Sequence, residues 1–303
     1  MRKIYLLSIV LLFAAAVFMM FTFSSSESVA SDDGEFDLND QQFSATSPPI
    51  PVKVDFAGED APLNLYSVRE YLDRELLVNT YFHSSTIQLL KCSNRWFPVI
   101  EPILKENNIP DDFKYLALIE SGFLNVKSPR GAAGFWQFME KTAKEYKLEV
   151  NDYVDERYNL ELATTKACEY LADSFEEYQN WTLVAAAYNA GNRRISESIE
   201  QQKTNDYYDL YLNEETSRYV FRILAIKTIF NDPLLYGFDI KKTDLYPVLN
   251  TKEITVDTAI SNLVDFALAQ GISYRNLKEL NPWLRTNYLT NKSGKLYTIK
   301  LPK

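Results

Sequence analysis

Histidine is almost absent from this 303-residue chain, and His83 is its one example. A single histidine builds neither a Ser-His-Asp triad nor a multi-histidine metal site, so acid-base chemistry must rest on carboxylates, tyrosine, lysine or cysteine. With no second ligand or nucleophile apparent near it, His83 reads as an ordinary structural or surface residue. Cysteine is nearly as scarce, with only Cys92 and Cys168. Neither follows the apolar N-terminal stretch, which excludes a lipid anchor on an N-terminal cysteine. The pair fits either a disulfide in an oxidising compartment or two small buried thiols. Positive charge is in deficit too: 32 Lys and Arg stand against 41 Asp and Glu, for a net charge of -9. That sign argues against a general phosphate-backbone binder, so an uncharged or cationic polymer is the expected partner and nucleic acid is not.

What is present suffices for one sizeable globular domain plus smaller parts, with 46% hydrophobic and 24% charged residues. Arg2 and Lys3 precede a nearly unbroken apolar run from Ile4 to Phe23, which marks the chain for export. Ser28-Val29-Ala30 supplies a small-residue cleavage site, while the run, at about 20 residues, is also long enough to span a bilayer. Residues 1–30 are therefore a signal peptide or an N-terminal membrane anchor. Residues 31–63, rich in Ser, Asp, Gln and Pro without a sustained apolar period, predict a disordered linker. From Tyr66 to about Phe230 the spacing is helical.

Within that section "IPDDFKYLALIESGF" raises the first chemical question. Pro110-Asp111-Asp112 predicts a helix start, with acidic residues at the positive end of the dipole. Phe113, Leu116, Ala117 and Glu120 share one face, and Tyr115, Leu118 and Ile119 make the other side apolar. A helix apolar nearly all round is buried, and a carboxyl at its inner end has a raised pKa, as a general acid requires. The same spacing equally fits a helix-end glutamate that turns to solvent or pairs with an arginine.

Downstream, "SPRGAAGFWQFM" sets Gly131 and Gly134, which permit positive φ or close backbone approach, beside Phe135, Trp136, Gln137 and Phe138, which suit sugar faces or core packing. "LVAAAYNAG" predicts a closely packed small-residue helix ending at Gly191, with Tyr188 and Asn189 near its end. Leu160, Ala163, Ala167, Tyr170, Ser174 and Tyr178 mark the inner face of another helix. Asp152, Asp155 and Glu156 read as a solvated turn with local salt bridges. Arg218, Tyr219 and Arg222 occupy a later helix at the edge of any cleft.

The ordered set "ES…GAAGFWQF…AAAYNAG" closely resembles the lytic transglycosylases of the soluble-lytic-transglycosylase superfamily, from about Phe97 to Phe238. The resemblance implies a mainly α architecture, with a lysozyme-like helical catalytic domain of the α+β class at 97–240 behind a helical extension at 64–96. It implies that Glu120 is the catalytic residue and that Ser121, Gln137, Tyr188 and Asn189 bind substrate. Its implied activity is non-hydrolytic cleavage of the bond from N-acetylmuramic acid to N-acetylglucosamine, leaving 1,6-anhydro ends, without metal or cofactor. The alternatives are a hydrolase of the same fold and a non-catalytic cell-wall scaffold. The implied partner is peptidoglycan glycan strands, met by a monomer in the periplasm, with or without a membrane anchor. Two departures stand out: Glu140 and Phe221 occupy positions where proline is common.

The last section, 245–303, has a βααβ order: "KEITV", "TAISNLVDFALAQ", "SYRNLKELNPWL" and "KLYTIKLP". It resembles a LysM module, which binds N-acetylglucosamine-containing glycans, but "TVDTAIS" replaces the usual Gly-Asp turn. A small packing domain without sugar affinity is the alternative.

Overall fold

Helix dominates the computed structural model, which describes residues 46–303; the expected signal peptide or anchor at 1–30 and residues 31–45 of the expected linker lie outside the described residues. Helices α1 (Tyr66–Tyr81) and α2 (His83–Glu106) lead into α3 (Phe113–Ser121), short α4 (Glu140–Glu145), α5 (Leu160–Tyr178), α6 (Trp181–Ala190), α7 (Asn192–Gln202) and α8 (Glu214–Asn231). Among the described residues no helix is long and apolar enough to cross a membrane.

The central element is α3. Phe113, Tyr115, Leu116, Ala117 and Leu118 are all buried, as its apolar circumference requires. It stops at Gly122, whose φ of +59° is left-handed and whose N–H donates to the Leu118 carbonyl. Along α5 the predicted inner face holds: Ala163, Ala167 and Ser174 are buried, while Leu160, Tyr170 and Tyr178 pack against the core. Both cysteines are buried and free.

Helix α2 runs without a break through residue 97, and its Leu90, Ile100 and Leu104 enter the same core as α3. One expectation is corrected: the linker is ordered at its C-terminal end. Strands β1 (Asp55–Phe56) and β2 (Glu59–Asp60) form a tight antiparallel hairpin around Ala57 and Gly58, both at positive φ. Fully buried Phe56 packs edge-on against Phe113, with centroids 5.0 Å apart. One apolar side chain in a polar stretch is enough to anchor the turn, which composition alone does not register.

The hairpin ties three helices together. Asp112 Oδ2, at the start of α3, accepts from Ala57 N (2.7 Å) and from Lys227 Nζ of α8 (2.7 Å), and Lys227 also reaches the Asp55 carbonyl (2.8 Å). Glu59 accepts from Trp181 N (2.6 Å), Thr182 N (2.8 Å) and Thr182 Oγ1 (2.6 Å), placing a carboxylate on the positive end of α6. Glu59→Ala orphans these donors and is expected to cost about 2–3 kcal/mol, read as a lower urea midpoint.

The C-terminal section has the predicted order. Strand β3 (Thr251–Val256) pairs antiparallel with β4 (Tyr297–Pro302), Ile254 opposite Ile299, and α9 (Leu263–Ala269) and α10 (Tyr274–Leu280) lie between them in sequence. Leu263, Ala267, Leu277, Trp283, Ile299 and Leu301 form its core.

Candidate functional site

Glu120 occupies the last turn of α3 and is half-buried. Desolvation raises its pKa above the usual glutamate range. Two groups pull the other way: the Tyr219 hydroxyl donates to its Oε1, and the Arg222 charge favours the carboxylate, while exposed Glu215 pushes upward again. The carboxyl is thus protonated over a wider pH range than in water, yet has a donor ready for its ionised form.

Each of the polar residues expected around it is held by a hydrogen bond to its surroundings. Tyr188, from the end of α6, donates to the Trp136 carbonyl (2.6 Å), and its own pKa is pushed up by burial and by Glu120. Asn189 Oδ1 accepts from Thr216 Oγ1 (3.0 Å), and the Thr216 N–H donates to Asn213 Oδ1, the N-cap of α8. Ser121 is buried, its hydroxyl donating to the Phe135 carbonyl (3.0 Å). It therefore fastens α3 to the following loop. Gln137 sits at φ 48°, its amide donating to the Gly134 carbonyl (2.7 Å).

The loop carrying Gln137 needs its glycine. Gly134 has φ +76°, and a Cβ there would lie 1.9 Å from the Arg157 carbonyl oxygen. Phe135, Trp136 and Phe138 are buried, Trp136 donating from Nε1 to Thr164 Oγ1 (2.9 Å). They are core, so Gln137 is the one side chain of the aromatic cluster with partial solvent access. The acidic turn is solvated only at Asp152: Asp155 and Glu156 are buried, Asp155 in the expected local pair with Arg157 (2.7 Å) and Glu156 paired with distant Lys295 (2.6 Å).

The sequence set Tyr219 with Arg218 and Arg222 at the edge of a cleft, but not as the partner of Glu120. Thr216, Tyr219, Ile223 and Ile226 are all buried on α8, and their three- and four-residue intervals were the available signal that Tyr219 faces inward. Tyr219→Phe removes a donor that favours the carboxylate. The basic limb of the pH–rate profile should therefore move to higher pH, with kcat lower by about 10–100-fold.

Both departures from the family pattern have local reasons. Glu140 begins α4 and pairs with Lys144 (2.6 Å), and Phe221 is buried and stacked on Tyr71 at 5.3 Å. Among the described residues no group of three His, Cys, Asp or Glu side chains is placed to hold a metal. A groove of about 510 Å³ lies on the C-terminal domain, lined by Thr255, Asp257, Asn262, Asp265 and Phe266 among others.

Residues 97–211 match the transglycosylase SLT domain, and residues 252–303 match the soluble lytic transglycosylase C-terminal LysM-like domain. Over 257 residues, 82% of its length, the chain is 28% identical to membrane-bound lytic murein transglycosylase D of Escherichia coli strain K12, covering 55% of that protein. The protein of the same name from Escherichia coli O6:H1 matches to the same extent. The chain thus spans about half the length of these curated relatives. Among solved structures, an inactive mutant of the lytic transglycosylase Slt from Pseudomonas aeruginosa superposes with a TM-score of 0.37 at 16% identity, covering 61% of this chain and 36% of that one.

Proposed function

We propose that this chain is a lytic transglycosylase, with an SLT domain and a LysM-like domain behind it, and that it cleaves peptidoglycan glycan strands with Glu120 as acid and then base. The observation that carries this reading is a half-buried carboxyl with a raised pKa and a tyrosine donor in contact. Protonated Glu120 donates to the glycosidic oxygen between N-acetylmuramic acid and N-acetylglucosamine as that bond breaks, and the N-acetyl group assists at the anomeric carbon. The resulting carboxylate, held by Tyr219 and the Arg222 charge, removes the proton from the muramic acid 6-hydroxyl. That oxygen bonds to the anomeric carbon and closes the 1,6-anhydro ring. One carboxyl serves twice, where most glycoside hydrolases need two. Gln137, Tyr188 and Asn189 orient the sugar, and Ser121 acts through the loop it holds.

The membrane-bound relatives and the apolar run Ile4–Phe23 favour a site of action in the cell envelope. Mass spectrometry of products released from purified peptidoglycan by residues 31–303 tests the reaction. Anhydro-muropeptides are expected. Reducing-end products would make the enzyme a hydrolase, and no products from folded protein would leave a cell-wall scaffold.

A further inference from the structure

The C-terminal domain does not close its core alone. Ala133, Val154 and Tyr158 of the SLT side are buried in the same apolar cluster as Leu277, Trp283 and Leu284. Backbone pairing continues the seat: Val154 bridges Leu284, Asp155 N donates to the Trp283 carbonyl (2.9 Å), and Arg285 N donates to the Tyr153 carbonyl (2.8 Å). Charge closes it. Lys295 Nζ reaches Glu156 (2.6 Å) and Glu149 (3.0 Å), Tyr297 donates to Glu149 (2.8 Å), and the Arg285 guanidinium lies 4.3 Å from the Tyr158 ring centroid.

The strip 153–158 that receives the C-terminal domain also grips the glutamine loop. Asp155 orients the buried Arg157 guanidinium, which donates to the Gly131 carbonyl (2.8 Å) and the Phe138 carbonyl (3.1 Å), the two ends of that loop. Between those ends, Gly134 lies against the Arg157 backbone, and Ala133 is buried in the C-terminal domain's own cluster. The loop then passes its position onward, through Phe135 to Ser121 and through Trp136 to Tyr188.

We propose that the C-terminal domain is the rear wall of the candidate active site, holding residues 131–138 in place through the 153–158 strip, so that Lys295 and Val154 are positioning residues for Gln137. This rests on the function proposed above, where Gln137 orients the sugar. It predicts that docking of the domain sets turnover rather than glycan capture.

The test compares the full chain with Lys295→Glu, which repels Glu149 and Glu156, with Val154→Asp, which puts a charge in the apolar seat, and with Lys295→Arg, which keeps the ion pairs. Amide hydrogen exchange reports on residues 131–138 and on the Asp155 amide, and kinetics on a soluble glycan strand give kcat and KM separately. In the two disruptive variants, exchange at both places should accelerate about tenfold or more and kcat should fall about tenfold or more, with KM within about twofold; Lys295→Arg should stay within about twofold of the parent throughout. Fast exchange at Asp155 with unchanged kcat, or with slow exchange retained at 131–138, overturns the proposal. So does a raised KM at constant kcat, which would make the domain a glycan tether, and so does unchanged exchange at Asp155 in both disruptive variants. If the parent chain releases no anhydro products, the proposed function fails by itself, and exchange at 131–138 still decides whether docking holds the loop.

Discussion

Glu120→Gln should lower product formation by about 10³-fold and, at neutral pH, raise the melting temperature. Glutamine keeps the shape of the side chain and can still accept from Tyr219, but it neither gives nor takes a proton. The stability gain follows from where the carboxyl sits. Its folded-state pKa lies above the unfolded value, near 4.5, chiefly through desolvation. Below that unfolded value the carboxyl is protonated in both states, and its contribution to stability is fully present. As pH rises through the raised folded pKa, a desolvated group must ionise and the contribution is lost. Wild type should therefore weaken relative to Glu120→Gln across that window, with the gap in melting temperature constant at acid pH and growing until the folded carboxyl is ionised. Calorimetry of both proteins at several pH values, beside product analysis, measures this. A gap independent of pH would show that Glu120 is not the desolvated acid.

Gly134→Ala should be nearly as damaging, and for a backbone reason. The new Cβ would meet the Arg157 carbonyl oxygen at 1.9 Å and its carbonyl carbon at 2.7 Å, at a φ of +76° that alanine resists. Neither side yields easily, since the Arg157 guanidinium is itself fixed to Gly131 and Phe138. Overpacking and strain together should cost roughly 3 kcal/mol or more, and the displaced loop should carry Gln137 out of place. Gly131→Ala is the internal control. Its φ is +91°, but nothing lies within 4 Å of the added carbon, so about 1 kcal/mol is expected. Urea midpoints and turnover for the two variants should separate clearly, and equal effects would mean that the close approach to Arg157 is not what demands glycine.

Local pattern made much of this molecule legible. The apolar circumference of α3 placed Glu120 at the end of a buried helix, Gly134 was marked by its loop, and the C-terminal βααβ order followed from two kinds of periodicity. The illegible parts are those made by distant partners. Glu59 meets Trp181 across 122 positions, and Lys295 meets Glu149 across 146, distances over which spacing carries no signal. Two-residue strands are too short to alternate, so the hairpin at Asp55–Asp60 resembled linker by composition. Glu156 looked solvated because the Lys295 charge that meets it lies 139 positions away, whereas Asp155 pairs with Arg157 two positions on. Tyr219 was visible as a residue on a helix but not as the partner of Glu120, since nothing local fixes how α8 crosses α3.

The hairpin also bears on how this folded unit can be moved between proteins. A segment trimmed to residues 97–211 would start partway along α2 and omit the Phe56 anchor, the Glu59 ties to α6 and all of α8, including Tyr219. Such a fragment would expose the faces those parts cover and leave the candidate acid without its donor. Grafting or fusing this unit therefore calls for a junction before residue 47, so the transferable piece is more than twice the length of the stretch that matches the SLT domain.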